Sequence, residues 1–132
     1  MTPATQPTPP RPTPAELEIL SVLWRDGPRT VREVQERLEE ERPTGYTTVL
    51  KLLQIMTDKG LVRRDERARA HVYSATVPEA TTQKQLVRDL VDRAFGGSAS
   101  RLVLHALSTR KATREELARI RELLDRLEGG GR

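Results

Sequence analysis

The chain has no cysteine, a single phenylalanine, a single tryptophan and two tyrosines. The first absence excludes disulfide cross-links and thiolate metal ligands. Aromatics make up only 3% of the 132 residues, which points away from a β-sandwich and towards helices packed on aliphatic side chains. Histidine is almost as scarce. His71 and His105 stand far apart, leaving neither a metal cluster nor a base beside a nucleophile. The many carboxylates fall on helical surface positions, so no enzyme, no cofactor and no metal site is expected. No apolar run approaches the length of a membrane span, and the N-terminal stretch lacks the apolar core of a signal peptide. A soluble, cytoplasmic protein without membrane contact is therefore expected. What the chain has in quantity is charge, 32% of its residues with a net charge of +4. That balance fits nucleic acid as a partner without demanding it.

Residues 1–12 hold Pro3, Pro7, Pro9, Pro10 and Pro12 among threonines, a composition that predicts an extended, disordered tail. Order is expected from Thr13-Pro14-Ala15-Glu16, a capping box with proline at the first helical position. Leu17, Leu20, Leu23 and Trp24 would line the inner face of this first helix, with Ile19 and Val22 widening the stripe. Asp26-Gly27-Pro28 ends it. Thr30-Val31-Arg32-Glu33 is a second capping box, opening a shorter helix with Val31, Val34 and Leu38 inward and Glu36, Arg37, Glu39 and Glu40 outward.

After the break at Arg42-Pro43-Thr44-Gly45, Val49, Leu52, Leu53 and Met56 fall at i, i+3, i+4 and i+7, one stripe of a third helix. Gly60 after Lys59 reads as its left-handed cap. The opposite face offers Tyr46, Thr47, Thr48 and Lys51 at its N-terminal end. Alone this is an ordinary amphipathic helix. Behind two capped helices it completes a helix-turn-helix, and hydroxyls, methyls and one long cation suit the edges of bases in a major groove.

Beyond Gly60 the apolar period changes from helical to alternating. Residues 61–64 and 70–75 read as two strands around a polar turn from Asp65 to Arg69. Val62, Val72 and Leu61 would face the core, and Tyr73 would serve structure. Arg63, Arg64, Arg67 and Arg69 cluster on this hairpin, where guanidinium groups can pair with phosphates. Asp65 and Glu66 partly cancel their charge.

The last third carries three further helical patterns. Leu86, Val87, Leu90, Val91, Ala94 and Phe95 form a wide stripe that Gly96-Gly97 stops. Ser98 caps a short helix with Leu102, Val103, Ala106 and Leu107 inward. Thr113-Arg114-Glu115-Glu116 is a third capping box, followed by Leu117, Ile120, Leu124 and Leu127 at the 3-4-3 spacing of a two-heptad seam. Some fifty residues in three helices close an independent core poorly. Leu86, Leu90, Leu102, Val103, Leu107, Leu117, Ile120, Leu124 and Leu127 are therefore expected to meet the same residues of a second copy. The expected architecture is mainly α: a winged helix-turn-helix with a small two-stranded β wing over 13–77, a three-helix dimerisation region over 78–128, and a fraying end over 129–132.

Taken together these motifs resemble the penicillinase-repressor (BlaI/MecI-type) family of winged-helix regulators. The resemblance rests on PAELEILSVLW, TVREV, GYTTVLKLLQIMTDKGLV, AHVYSA and the later FGGS and RLVLHAL, in that order. It implies a homodimeric repressor on an inverted-repeat operator of double-stranded DNA, with Tyr46, Thr47, Thr48 and Lys51 in the recognition segment. It also implies release by a partner metalloprotease that cuts an Asn-Phe pair. His105-Ala106 stands at that place here, which leaves a regulatory protease unidentified. The family's copper-responsive branch uses a C-terminal cysteine cluster, and this chain has no cysteine. Two other classes compete: a ligand-responsive regulator of the MarR type, which needs a pocket the low aromatic content disfavours, and a winged-helix protein-interaction module. The arginine-bearing hairpin and the hydroxyl-rich helix face favour DNA.

Overall fold

Three Thr-x-x-Glu sequences begin three helices by one device. At Thr13 the backbone amide donates to Glu16 Oε1 at 2.9 Å, and the Glu16 amide donates to Thr13 Oγ1 at 3.2 Å. The same reciprocal pairs form between Thr30 and Glu33 and between Thr113 and Glu116. Each box satisfies two amides that the first turn of a helix cannot satisfy internally.

The protein is described from a computed structural model that covers residues 11–129; the tail expectations for 1–10 and 130–132 lie outside the described residues. The elements run α1 (Pro14–Asp26), β1 (Arg29–Thr30), α2 (Val31–Glu39), α3 (Tyr46–Lys59), β2 (Val62–Asp65), β3 (Val72–Ala75), α4 (Glu79–Ala94), α5 (Ala99–Thr109) and α6 (Arg114–Gly129). Gly129, expected to fray, is the last residue of α6. The chain divides into two compact units, up to Leu86 and from Val87, the division falling within α4. The boundary drawn from the sequence, between 77 and 78, precedes that helix.

In the first unit, α1 to α3 pack together and against a small antiparallel sheet of order β1-β3-β2. The core gathers Ile19, Leu20, Val22 and Leu23 from α1, Val31 and Val34 from α2, Val49, Leu53 and Met56 from α3, then Leu61, Val62 and Tyr73. Burying each such aliphatic side chain contributes about 1.5–3 kcal/mol. Two details of the sequence reading change. The buried stripe of α1 runs through Glu16, Ile19, Leu20 and Leu23, so Leu17 and Trp24 are only half-buried. In β3 the core residue is Tyr73, 1% exposed, and Val72 is half-buried. The register explains it. Arg64 pairs with Tyr73 and Val62 with Ala75, which puts Tyr73 on Val62's face, whereas Val72 pairs with Asp65 on the other. β1 adds a third strand beside the expected hairpin, pairing Arg29 with Tyr73 and Thr30 with Val72.

The second unit comprises the rest of α4, with α5 and α6. Gly96 and Gly97 join α4 to α5 at φ 58° and 80°, backbone angles that favour glycine. Across that turn the Phe95 and His105 rings stand 5.6 Å apart, tilted by 47°. No helix of the described residues is long and apolar enough to cross a membrane.

Candidate nucleic-acid interface

The start of α3 is held from α2. Gln35 Nε2 donates to the Thr44 carbonyl at 2.9 Å, Glu39 Oε2 accepts from the Thr44 amide at 2.8 Å, and Thr44 Oγ1 donates to the Arg42 carbonyl at 2.9 Å. Arg42 in turn pairs with Glu18 of α1. The break between helices is thus a fixed corner, and α3 leaves it in one direction. Gly45 is the N-cap and supplies no side-chain acceptor, so no side chain caps the first amides of α3. Tyr46, Thr47, Thr48 and Lys51 are all exposed on this first part of the helix, while Val49, Leu53 and Met56 behind them are buried.

The far end of α3 is held as firmly. Gly60 adopts φ 81° and ψ 14°, its amide donates to the Thr57 carbonyl at 3.1 Å, and the Leu61 amide donates to Met56 O at 2.9 Å. That is a Schellman cap, which turns the chain directly into β2. What anchors the last turn is not visible in the sequence. Lys59 Nζ donates to both oxygens of Glu16, at 2.7 and 3.0 Å, and the Glu16 side chain is only 3% exposed. Burial alone would raise the Glu16 carboxyl, but the Lys59 ammonium and the Thr13 amide outweigh it and leave the pKa below its ordinary value. One carboxylate therefore caps α1 and clamps the end of α3. A glutamate on the buried stripe of α1 was the available signal, but nothing local named its partner.

The hairpin arginines divide into two kinds. Arg67 makes a bidentate pair with Asp65, Nη2 to Oδ2 at 2.7 Å and Nε to Oδ1 at 3.0 Å. The Arg67 guanidinium and its amide hold the Asp65 carboxyl down to about 2. Arg64 is bound by the Tyr73 hydroxyl and by Glu66, whose Oε2 lies 3.0 Å from its Nη2. His71 Nε2 is 3.9 Å from the same carboxylate's Oε1. Arg63 and Arg69 are exposed and have no hydrogen bond or ion pair among the described residues, although Arg63 acts on Asp65 through its field. All four lie on the hairpin where the sequence placed them. Arg64 and Arg67 are internally paired there.

A further cation was missed. Arg32, exposed on the first turn of α2, places its guanidinium carbon 5.8 Å from the centre of the Tyr46 ring, within cation–π range. Among the described residues no three His, Asp or Glu side chains come together in a way that could hold a metal ion.

In the second unit no residue of α5 or α6 is buried. Of the residues expected to join two copies, Leu90 (47% exposed), Val103, Leu107, Leu124 and Leu127 (67%) are open, and Leu102, Leu117 and Ile120 are half-buried. Leu86, also half-buried, falls in the first unit. Val87, Leu104 and Leu123 enlarge the exposed apolar set beyond those nine residues. His105 and Ala106 sit exposed in the middle of α5.

Comparison with known proteins fits this geometry. The family model for the penicillinase repressor matches residues 12–126. The transcriptional regulator BlaI of Mycobacterium tuberculosis is 32% identical over 117 residues, 87% of this chain and 83% of the relative. The penicillinase repressor of Bacillus licheniformis is 22% identical over 111 residues, 84% of this chain and 87% of the relative. Among solved structures, the DNA-binding domain of the repressor BlaI aligns with a TM-score of 0.50 at 24% identity, over 57% of this chain and 92% of that domain. A MarR mutant from E. coli complexed with operator DNA aligns with a TM-score of 0.50 at 21% identity, over 87% of this chain and 74% of that one. Both structures agree with the winged-helix architecture. The chain belongs to the penicillinase repressor family, whose members are transcriptional repressors and not enzymes.

Proposed function

We propose that this repressor binds an inverted-repeat operator in double-stranded DNA as a homodimer, one copy on each half-site. In each copy α3 enters the major groove, with Tyr46, Thr47, Thr48 and Lys51 towards the base edges. The β2–β3 hairpin lies along the sugar–phosphate backbone with Arg63, Arg64, Arg67 and Arg69 on its phosphate side. The observation that carries this reading is the division of α3. Its buried stripe, its Schellman cap and the Glu16–Lys59 pair fix the helix, while its first turns present only exposed hydroxyls, one ring and one cation. Open amides at that uncapped start add a favourable place for a phosphate.

The homodimer is supported by the exposed leucines and valines of α4 to α6, apolar side chains that a second copy would remove from water. Helical side chains of this kind meet best in a two-fold arrangement, and a two-fold protein suits a two-fold site. Sedimentation of the free protein, followed by titration with a duplex operator, tests both parts. A dimer that saturates at two chains per duplex is expected. A free monomer that binds one chain per duplex would overturn the dimeric reading.

A further inference from the structure

Two of the cations left without a carboxylate in the first unit, on separate elements, line one hollow. Arg32 from α2 and Arg69 from the hairpin both line a hollow of about 370 Å³, with Tyr46 and His71 beside them and Tyr73 below. Neither arginine has a hydrogen bond or an ion pair with a carboxylate among the described residues, in contrast to the Arg67–Asp65 and Arg64–Glu66 pairs close by. Glu33, one residue from Arg32, is engaged in the capping box with Thr30. Glu66 faces His71 and Arg64. The Tyr46 ring lies against the Arg32 guanidinium, so the cation meets an aromatic face and keeps its N–H fork for another acceptor.

We propose that Arg32 and Arg69 form a seat for one backbone phosphodiester of duplex DNA, spanning α2 and the hairpin beside the recognition helix. The proposal rests on the reading of this protein as a DNA-binding repressor and divides the work among its cations. Arg32 and Arg69 hold phosphate, and Tyr46 positions Arg32. Arg64 and Arg67 shape the hairpin through Tyr73, Glu66 and Asp65. A neutralised phosphate releases its condensed counterions, whereas an arginine already paired with an aspartate adds little net charge to the interface. The two groups of arginines therefore differ in the salt dependence of binding, which a merely structural role does not change.

The test is the slope of log affinity against log salt for the full chain on a fixed duplex. It is measured for wild type, Arg32→Ala, Arg69→Ala, Tyr46→Ala and the double variant Asp65→Asn with Arg67→Ala, with circular dichroism as a check that each variant is folded. Arg32→Ala and Arg69→Ala should each flatten the slope by about 0.9 per bound subunit. Tyr46→Ala should weaken binding yet leave more of the slope than Arg32→Ala does, because the charge remains. The double variant Asp65→Asn with Arg67→Ala, which removes the neutral pair whole, should change the slope least. A steep wild-type slope that Arg32→Ala and Arg69→Ala leave intact, or one that the Asp65→Asn, Arg67→Ala double variant flattens as much as they do, would overturn the seat alone. A wild-type protein with no salt-dependent binding would overturn the DNA reading on which the seat rests.

Discussion

Thr48 and Glu16 show how differently single residues act in this protein. Thr48 is exposed on the first turn of α3 and supports nothing in the core, so its loss should be read in DNA rather than in stability. Thr48→Ala should cost about 1–3 kcal/mol on a matched site, relax one operator position and leave binding to unrelated duplex nearly unchanged. Competition titrations against both duplexes check it; equal losses on the two would remove Thr48 from the base-reading set. Glu16 is the opposite case, buried and joined to Lys59 and Thr13. Glu16→Ala removes the glutamate half of the α1 capping box, leaving the Thr13 half, and leaves Lys59 without its carboxylate. Lys59 is 34% exposed and can turn to water, so the loss should be about 2 kcal/mol, less than for a fully buried pair. Urea denaturation measures it. The pH dependence follows from the sign of the shift. A carboxyl held below its ordinary 4.5 stabilises the fold fully above that pH and loses its contribution as pH falls through the folded value. Stability should therefore fall less steeply below about pH 4.5 in Glu16→Gln than in wild type. Identical acid limbs would show that Glu16 is not held low.

At the scale of elements, the cap of α3 decides where that helix stops and the hairpin starts. A Cβ on Gly60 would meet nothing within 4 Å, so Gly60→Ala tests backbone angle alone. The left-handed φ of 81° should make it destabilising by about 1 kcal/mol in a thermal or urea melt. An unchanged midpoint would mean the helix can end without a left-handed residue. Elements such as this were legible in the sequence because their causes are local. Gly60 after Lys59, and threonines three residues before Glu16, Glu33 and Glu116, are short-range signals, and each formed its predicted hydrogen bonds. The elements that were not legible have distant causes. β1 is two residues long, too short to show alternation, and exists because Tyr73 and Val72 lie beside it. The facing of Tyr73 depends on the register against Arg64, and a one-residue change of register exchanges the faces. The Glu16–Lys59 clamp and the Arg32–Tyr46 contact join side chains on separate helices, and charge on two separate helices does not reveal pairing.

At the scale of the whole molecule, the proposed inverted-repeat operator requires two copies on one piece of DNA. Leu124 and Leu127 are 50% and 67% exposed in the single chain, so charging them should leave the fold of that chain intact. Leu124→Glu with Leu127→Glu should turn the dimer into a folded monomer by sedimentation and weaken operator binding far more than non-specific binding. A double variant that stays dimeric would move the contact away from α6. The central claim, that this repressor reads a two-fold DNA sequence through α3 and the hairpin, is tested most directly by selecting duplexes from a random-sequence pool at two salt concentrations. An inverted repeat should be enriched, with affinity falling steeply as salt rises. No enriched sequence, and weak binding even at low salt, would contradict it and turn the winged-helix unit into a surface for another protein.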